Sequence, residues 1–253
     1  MKILLTGHNG YIGSALHTVL QNAGHIVFGI DLKTGDDLLF FDKWPENIDL
    51  VIHLAGKSGV RESIKDPASY WMNNIEASKR LFARYGDKCR IIYASSSSAY
   101  EPDLNPYAAS KYCLEELAER YPDTLGLRFH TVYSENCRSN MLFYKLINDK
   151  LEYVTRHYRD FVHLDDVLDA IMMLINKSHI KGICDVGTGT PIKVQELAPD
   201  LPVRLNTPGE REFTCANIEL LLSLGWKPKY SIKKFLTNNN LDNIINIFNG
   251  ETV

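Results

Sequence analysis

Residues 2 to 24, "KILLTGHNGYIGSALHTVLQNAG", constrain the fold more than any other stretch of this chain. A short apolar run ends in Thr6-Gly7, glycines recur at Gly7, Gly10 and Gly13, and Ile12, Leu16, Val19 and Leu20 then repeat at helical spacing. That order predicts a strand, a tight turn and a helix. Glycines here let the backbone turn sharply and approach a ligand closely, while the free amides and positive dipole end of the helix favour a pyrophosphate. A flexible turn with a packing glycine gives the same spacing, so context decides. Asp31 closes the next strand-like run, "HIVFGID", at the distance of about 20 residues where an acid accepts hydrogen bonds from an adenosine ribose diol and repels a 2′-phosphate. This predicts NAD over NADP, with Lys33 nearby as a cation of the opposite preference.

Three more buried-strand runs follow, "DLVIHLAG", "RIIYASSS" and "TLGLRFH". Helical patterns separate them, notably "YWMNNIEASKRLFARYG" and "YAASKYCLEELAERY". Strands and helices in alternation predict an α/β protein, a Rossmann-type doubly wound parallel sheet covered on both faces. The stretch between Asp31 and His53 leaves little room for a crossover helix, so the second α/β unit should be abbreviated. Beyond residue 134 the alternation fades, and "MLFYKLIND", "LDDVLDAIMMLINK" and "ANIELLLSLG" read as helices joined by turns. The expected organisation is a dinucleotide-binding domain over residues 1–133, to which 160–186 returns, and a small interleaved C-terminal lobe over 134–253 that binds substrate.

Composition narrows the function classes. A formal net charge of −3 without a basic block gives no footprint for nucleic acid or an acidic membrane surface. Five cysteines, an odd count without a C-x-x-C pair, argue against a disulfide framework or a zinc site, so the thiols are expected to be buried or incidental and no metal is expected. No basic-then-apolar leader and no apolar run of membrane length is present, which gives a cytoplasmic expectation.

Chemistry concentrates in "ASSSSAYEPDLNPYAASK", residues 94 to 111. Tyr107 and Lys111 are four apart on a helical pattern and share one face. Tyrosine is a poor base near neutral pH because its ordinary pKa is about 10, and lowering that to about 7 takes roughly 4 kcal/mol of phenolate stabilisation, which a neighbouring ammonium supplies. Ser96, at the end of the preceding strand, would pass or orient the substrate proton. Each element alone recurs by chance; the glycine turn, Ser96, Tyr107 and Lys111 in this order are far more specific.

These stretches, with "SGVRESIKDPASYWMNNIEASKRL", "RDFVHLDDVLDAI" and "LGWKP", resemble the extended short-chain dehydrogenase/reductases of the NAD-dependent sugar-nucleotide epimerase/dehydratase family over nearly the whole chain. The resemblance implies Ser96, Tyr107 and Lys111 as the catalytic set, with Ser97 in reserve. It also implies Gly7, Gly10, Tyr11, Ile12, Gly13, Asp31, Leu54, Ala55, Gly56, Asn74, Tyr107 and Lys111 at the NAD site. Tyr107 would take the C4 hydroxyl proton as C4 is oxidised, and a 4-keto sugar reduced on its other face gives the 4-epimer. A 4,6-dehydratase would need an acid pair where Ser97 and Ser98 stand.

Within the epimerases, "SGVRESIKDP" and "RFHTVYSENCRSNM" are most similar to UDP-glucuronate 4-epimerases. That implies Thr131 and Arg138 near a uronate carboxylate and Arg159 on the diphosphate, with Ser96 and Ser97 also facing the sugar. Arg138 as a surface residue and Thr131 as a packing residue are the competing readings. The family also implies a homodimer through the helices of Asn74 and Tyr107. The chain departs from the family at Glu101, at a shortened loop before Tyr107 and at Ser134 and Glu135, positions that bear on which sugar is accepted. A neutral UDP-sugar epimerase, another nucleotide-sugar dehydratase or reductase, and a non-catalytic NAD-binding regulator are the alternatives. His130 and His163 are expected to be satisfied core histidines, and Asp165 and Asp166 to cap the helix they open.

Overall fold

The computed structural model describes residues 1–239 and 241. The described strands, in chain order, are β1 (Lys2–Thr6), β2 (Ile26–Ile30), β3 (Leu50–His53), β4 (Arg90–Ser96), β5 (Thr124–Phe129), β6 (Thr131–Tyr133), β7 (Tyr158–His163), β8 (Gly182–Val186) and β9 (Pro191–Lys193). The helices are α1 (Tyr11–Asn22), α2 (Val60–Lys65), α3 (Pro67–Trp71), α4 (Ala77–Tyr85), α5 (Pro106–Ala118), α6 (Leu142–Ile147), α7 (Leu164–Ile175), α8 (Glu219–Ser223) and α9 (Ile232–Asn238). Met1–Arg128 with Ile171–Cys184 form one compact unit, and Phe129–Ala170 with the described residues from Asp185 onward form a second.

The first unit is built on a six-stranded Rossmann-type sheet in the order β2-β1-β3-β4-β5-β8. Its strands are short apolar runs, and the pairs β1–β2, β1–β3 and β3–β4 run parallel. One face packs Leu4, Val51, Ile91 and Tyr93 against Leu81 and Phe82 of α4 and Leu114 of α5, all buried. Fully burying each such side chain contributes about 2 kcal/mol, which is why a continuous apolar strand is stable only between two covered faces.

Between β2 and β3 the chain makes only a 3₁₀ turn, Leu32–Thr34, in place of a crossover helix. The abbreviated second unit foreseen in the sequence is therefore present, and it leaves β2 as an edge strand with Ile26 and Phe28 exposed. Because β2 lies on one side of β1 and β3 on the other, strand order reverses between β1 and β3. Open α/β sheets bind ligands beyond the carboxyl ends of strands at such a reversal. Thr6 and His53 stand opposite each other there, in register, at the last positions of β1 and β3.

The second unit carries a three-stranded sheet that the sequence did not announce, with β7 parallel to β6 and antiparallel to β9. Tyr133, Phe143 and Phe235 form an aromatic core there, with Tyr133 stacked 4.6 Å from Phe143. Asp160 is fully buried and accepts from the backbone amides of Thr188, Gly189 and Ala216 and from the Thr188 hydroxyl, at 2.7–2.9 Å. Asp165 and Asp166 stand in the first turn of α7, as expected, and Asp166 has a further role: it is fully buried, and its carboxylate accepts from the amides of Lys229 at 2.9 Å and Tyr230 at 3.1 Å. A carboxylate that holds a segment more than sixty residues away is a tertiary clasp. His130 corrects the expectation of a satisfied histidine, since neither ring nitrogen has a hydrogen-bond partner, although Asp185 approaches Nε2 at 3.5 Å. His163 is satisfied, accepting the Asp165 amide at 3.2 Å and stacking on Tyr230 at 4.2 Å. Of the thiols, Cys137 and Cys184 are buried, Cys89 and Cys113 are half-buried, and Cys215 is exposed.

Candidate active site

The glycine turn closes as its spacing predicts. Gly7 adopts φ +74°, and a Cβ there would stand 2.7 Å from the Ala55 amide nitrogen. At Gly13 a Cβ would stand 2.0 Å from the Gly7 carbonyl oxygen, so only glycine lets α1 start so close to the turn. Helix α1 follows Gly10 at its cap position, with no side-chain cap and no acid in its first turn. A helix start with neither a side-chain cap nor a carboxylate in its first turn favours an anion there. Asp31 is buried at the end of β2, with Oδ2 accepting from the Asn9 amide at 2.9 Å and Oδ1 from the Lys33 amide at 2.8 Å. Each oxygen retains a free lone-pair direction, the requirement for receiving a ribose diol. The Lys33 ammonium is turned onto the Asn9 carbonyl at 2.7 Å.

On the opposite side of the reversal point, "HLAG" runs from β3 toward Asn74. Gly56 has φ +155°, and a Cβ on it would meet Asn74 Oδ1 at 2.9 Å and Lys111 Nζ at 3.6 Å. Asn74 lies in a π turn, Met72–Glu76, between α3 and α4. Such single-turn widenings are frequent at functional sites. Both ends of its side chain are anchored: Oδ1 accepts the Lys57 amide at 2.7 Å, while Nδ2 donates to the Lys57 carbonyl at 3.0 Å and to Ser110 Oγ at 2.9 Å. Ser110 in turn donates to the Tyr107 carbonyl at 2.8 Å.

Helix α5 starts where Asn105 caps the Ala108 amide at 2.8 Å and Pro106 takes the first helical position. Tyr107 occupies its first turn, with its ring edge-on to Tyr70 at 6.1 Å. Tyr70 is buried and donates to the Ser58 carbonyl at 2.9 Å. Lys111 is buried and donates to the Ala94 carbonyl at 2.7 Å. Burial lowers its pKa to about 8, against the upward pull of Glu115 one turn on. Glu115 is buried and held by a two-pronged Arg128 fork, at 2.9 and 2.6 Å, and also accepts from Ser95. Arg128 lies 4.1 Å over the ring of Tyr100, and its pKa is raised chiefly by Glu115. Ser96 ends β4, buried, and accepts the Ser98 amide at 3.1 Å. Ser97 opens the 3₁₀ turn that packs on α5.

Asn74, Gly56, Lys111 and the Tyr107 helix therefore converge in the first unit, with the turn after Ser96 packed against that helix. Tyr11 and Ile12 open α1, half-buried, and Leu54 and Ala55 follow β3. Thr131, Arg138 and Arg159 belong to the second unit. Thr131 is half-buried at the start of β6, and Arg138 is exposed ahead of α6. Arg159 bonds to His157 Nδ1 at 2.9 Å with Glu210 at 3.7 Å, and burial lowers its pKa to about 10. Sequence reasoning missed Thr6, Tyr70, Ser78, Ser110 and Glu115. Three of these had a positional signal: Tyr70 and Ser78 lie one turn either side of Asn74, and Glu115 lies one turn beyond Lys111.

Residues 3–187 match the model of the NAD dependent epimerase/dehydratase family. The chain belongs to that family. Its cofactor is accordingly NAD, and the uncapped α1 terminus and the free lone pairs of Asp31 fit that group. Among relatives, the chain is 32% identical to Protein CapI of Staphylococcus aureus, covering 81% of this chain and 80% of that one. Among solved structures it is similar to MoeE5 in complex with UDP-glucose and NAD, with 28% identity, a TM-score of 0.84 and coverage of 96% and 99% of the two chains. It is also similar to UDP-glucuronic acid 4-epimerase of Bacillus cereus in complex with UDP-glucuronic acid and NAD, with 28% identity, a TM-score of 0.82 and coverage of 98% and 100%. Among the described residues no group of histidine, cysteine and carboxylate side chains is arranged to hold a metal, and no helix is long and apolar enough to cross a membrane.

Proposed function

We propose that this family member is a nucleotide-sugar 4-epimerase with UDP-glucuronate as its leading substrate. The observation that carries the reading is Lys111, a buried ammonium tied to the Ala94 carbonyl one helical turn from Tyr107. A protein that only sensed NAD would have no use for a buried lysine beside a proton-transfer tyrosine. When bound, NAD supplies the acceptor and donor of hydride at C4. Tyr107 takes the C4 hydroxyl proton and returns it, Lys111 stabilises the phenolate, and Ser96 orients the sugar oxygen. Ser97 and Ser98 stand where a dehydratase needs acids, which supports epimerisation.

The uronate preference rests on the motifs of Thr131 and Arg138, whose hydroxyl and guanidinium suit a carboxylate. Arg159 is assigned to the diphosphate. The first unit is assigned the dinucleotide, and the lobe that follows is assigned substrate contacts. A homodimer through the Asn74 and Tyr107 helices is supported by Trp71, Met72 and Tyr112, large side chains left exposed on those helices.

Purified protein, NAD and a panel of UDP-sugars with and without a C6 carboxylate, followed at C4 by proton NMR, test the reading. Interconversion of UDP-glucuronate and UDP-galacturonate without net NADH is expected. Turnover of neutral sugars alone would move the substrate to UDP-glucose or UDP-N-acetylglucosamine. Tight NAD binding with no turnover of any sugar would favour the non-catalytic regulator.

A further inference from the structure

His53 is buried in the first unit and touches hydroxyls on two different elements. Thr6 Oγ1 lies 2.7 Å from its Nδ1, and Ser78 Oγ lies 2.8 Å from its Nε2. The direction of each bond follows from the groups beyond. Ser78 Oγ is 2.7 Å from the Asn74 carbonyl, which only accepts, so the single serine proton goes there. Ser78 must then accept from His53, which places a proton on Nε2. At the other end the Ala55 amide, which only donates, reaches Thr6 Oγ1 at 3.3 Å. The threonine proton is thereby left to turn onto Nδ1.

We infer that His53 is a positioning residue: held as the neutral Nε2–H tautomer, it transmits a one-way hydrogen-bond chain from the Ala55 backbone to the π turn of Asn74. From Asn74 the side chain continues to Ser110 and the Tyr107 carbonyl. The dinucleotide-side segment and the tyrosine helix are thus tied by donors that all point the same way.

The tautomer matters for two reasons. With the proton on Nδ1 instead, His53 and Ser78 would face each other as two acceptors unless the serine proton turned to the ring, and the Asn74 carbonyl would then lose its strut. A doubly protonated ring would put a second cation beside Lys111; burial, and then the Lys111 charge, hold the ring neutral by lowering its pKa to about 3. The strut acts where the helix widens into the π turn Met72–Glu76. Ser78, four residues after Asn74, bonds back to that carbonyl, and His53 fixes the serine rotamer.

The inference rests on the epimerase reading only for the use made of Tyr107. Its first test therefore needs no turnover. In the full chain labelled with nitrogen-15 histidine, long-range proton–nitrogen correlation should show one imidazole with a protonated Nε2 and a bare Nδ1, unchanged between about pH 5 and about pH 8. That signal should vanish in His53→Gln. An Nδ1–H pattern, an imidazolium or a titrating signal for His53 overturns the inference.

The second test separates positioning from folding. His53→Gln keeps a donor at the Nε2 level, whereas His53→Asn reaches only the Nδ1 level. With a sugar that the wild type turns over, kcat should stay within about threefold of wild type for the glutamine variant and fall about tenfold for the asparagine variant, the scale of one mis-set buried hydrogen bond. NAD affinity and KM should change little in both. Equal loss in the two variants, or loss confined to thermal stability, overturns the positioning role. If no sugar is turned over, the epimerase reading fails while the tautomer measurement still decides this one.

Discussion

His53 and His130 are both buried histidines with carboxylates, hydroxyls or amides in their neighbourhood, yet they occupy opposite electrostatic situations. His53 is enclosed by two hydroxyls whose proton directions are dictated by a carbonyl and an amide. His130 has no hydrogen bond on either nitrogen, and Asp185, itself accepting the Asn217 amide at 3.0 Å, stays 3.5 Å away. A buried polar group is stabilising only when its partners are made, because an unmade one keeps its full desolvation cost. The first histidine is therefore part of a machine-like linkage, and the second is a polar ring in an apolar role.

The largest expected effect lies at the end of the His53 linkage. Tyr107→Phe should leave NAD bound, measured by calorimetry, and lower kcat by roughly 10³-fold, within the usual range for losing a positioned acid–base group. Turnover near the wild-type level in this variant would mean that the linkage ends on a bystander and would dissolve the contrast between the two histidines.

Much of this contrast was hidden from the sequence, for a definable reason. The sheet of the first unit was legible because its strands are continuous apolar runs, and Gly7, Gly13, Asp31, Tyr107 and Lys111 were legible because their spacing is local. The bonds that organise the site are not local: Thr6 to His53 spans 47 residues, Asn74 to Ser110 spans 36, and His53 to Ser78 spans 25. Threonine and serine carry no periodic signal at such distances. The same holds for Asp166, which stands in the first turn of its helix as its sequence context suggests and also clasps Lys229 and Tyr230. Strands β6, β7 and β9 were illegible because two of them have three residues each, too few for alternation to register.

An intermediate effect appears in the pH dependence of stability. The folded-state pKa of His53, about 3, lies below the ordinary 6.5. A neutral buried ring therefore contributes stability that is complete above about pH 6.5 and is lost as the pH falls toward 3, with a slope of at most about 1.4 kcal/mol per pH unit. Denaturant titrations across that window should show this slope in the wild type and lack His53's share of it in His53→Phe. The phenylalanine variant should also lose about 2 kcal/mol near neutral pH, because the Thr6 hydroxyl is left without its acceptor. An unchanged slope would show that His53 becomes charged in the folded state and would remove one side of the comparison.

The smallest effect belongs to His130→Phe, and it tests the other side. Phenylalanine fills nearly the same space, breaks no hydrogen bond to the ring, and leaves Asp185 its bond from the Asn217 amide. Replacing a polar group that lacks partners by an apolar one of similar shape is close to neutral or stabilising. The change in unfolding free energy should lie within about 1 kcal/mol of zero, with kcat unaltered. A loss of several kcal/mol would mean that the ring and the Asp185 carboxylate, 3.5 Å apart, support each other, since removing one member of a buried polar pair leaves the other uncompensated. In that outcome both histidines would be structural partners, one between two hydroxyls and one beside a carboxylate, and the difference between them would be the kind of partner rather than satisfaction.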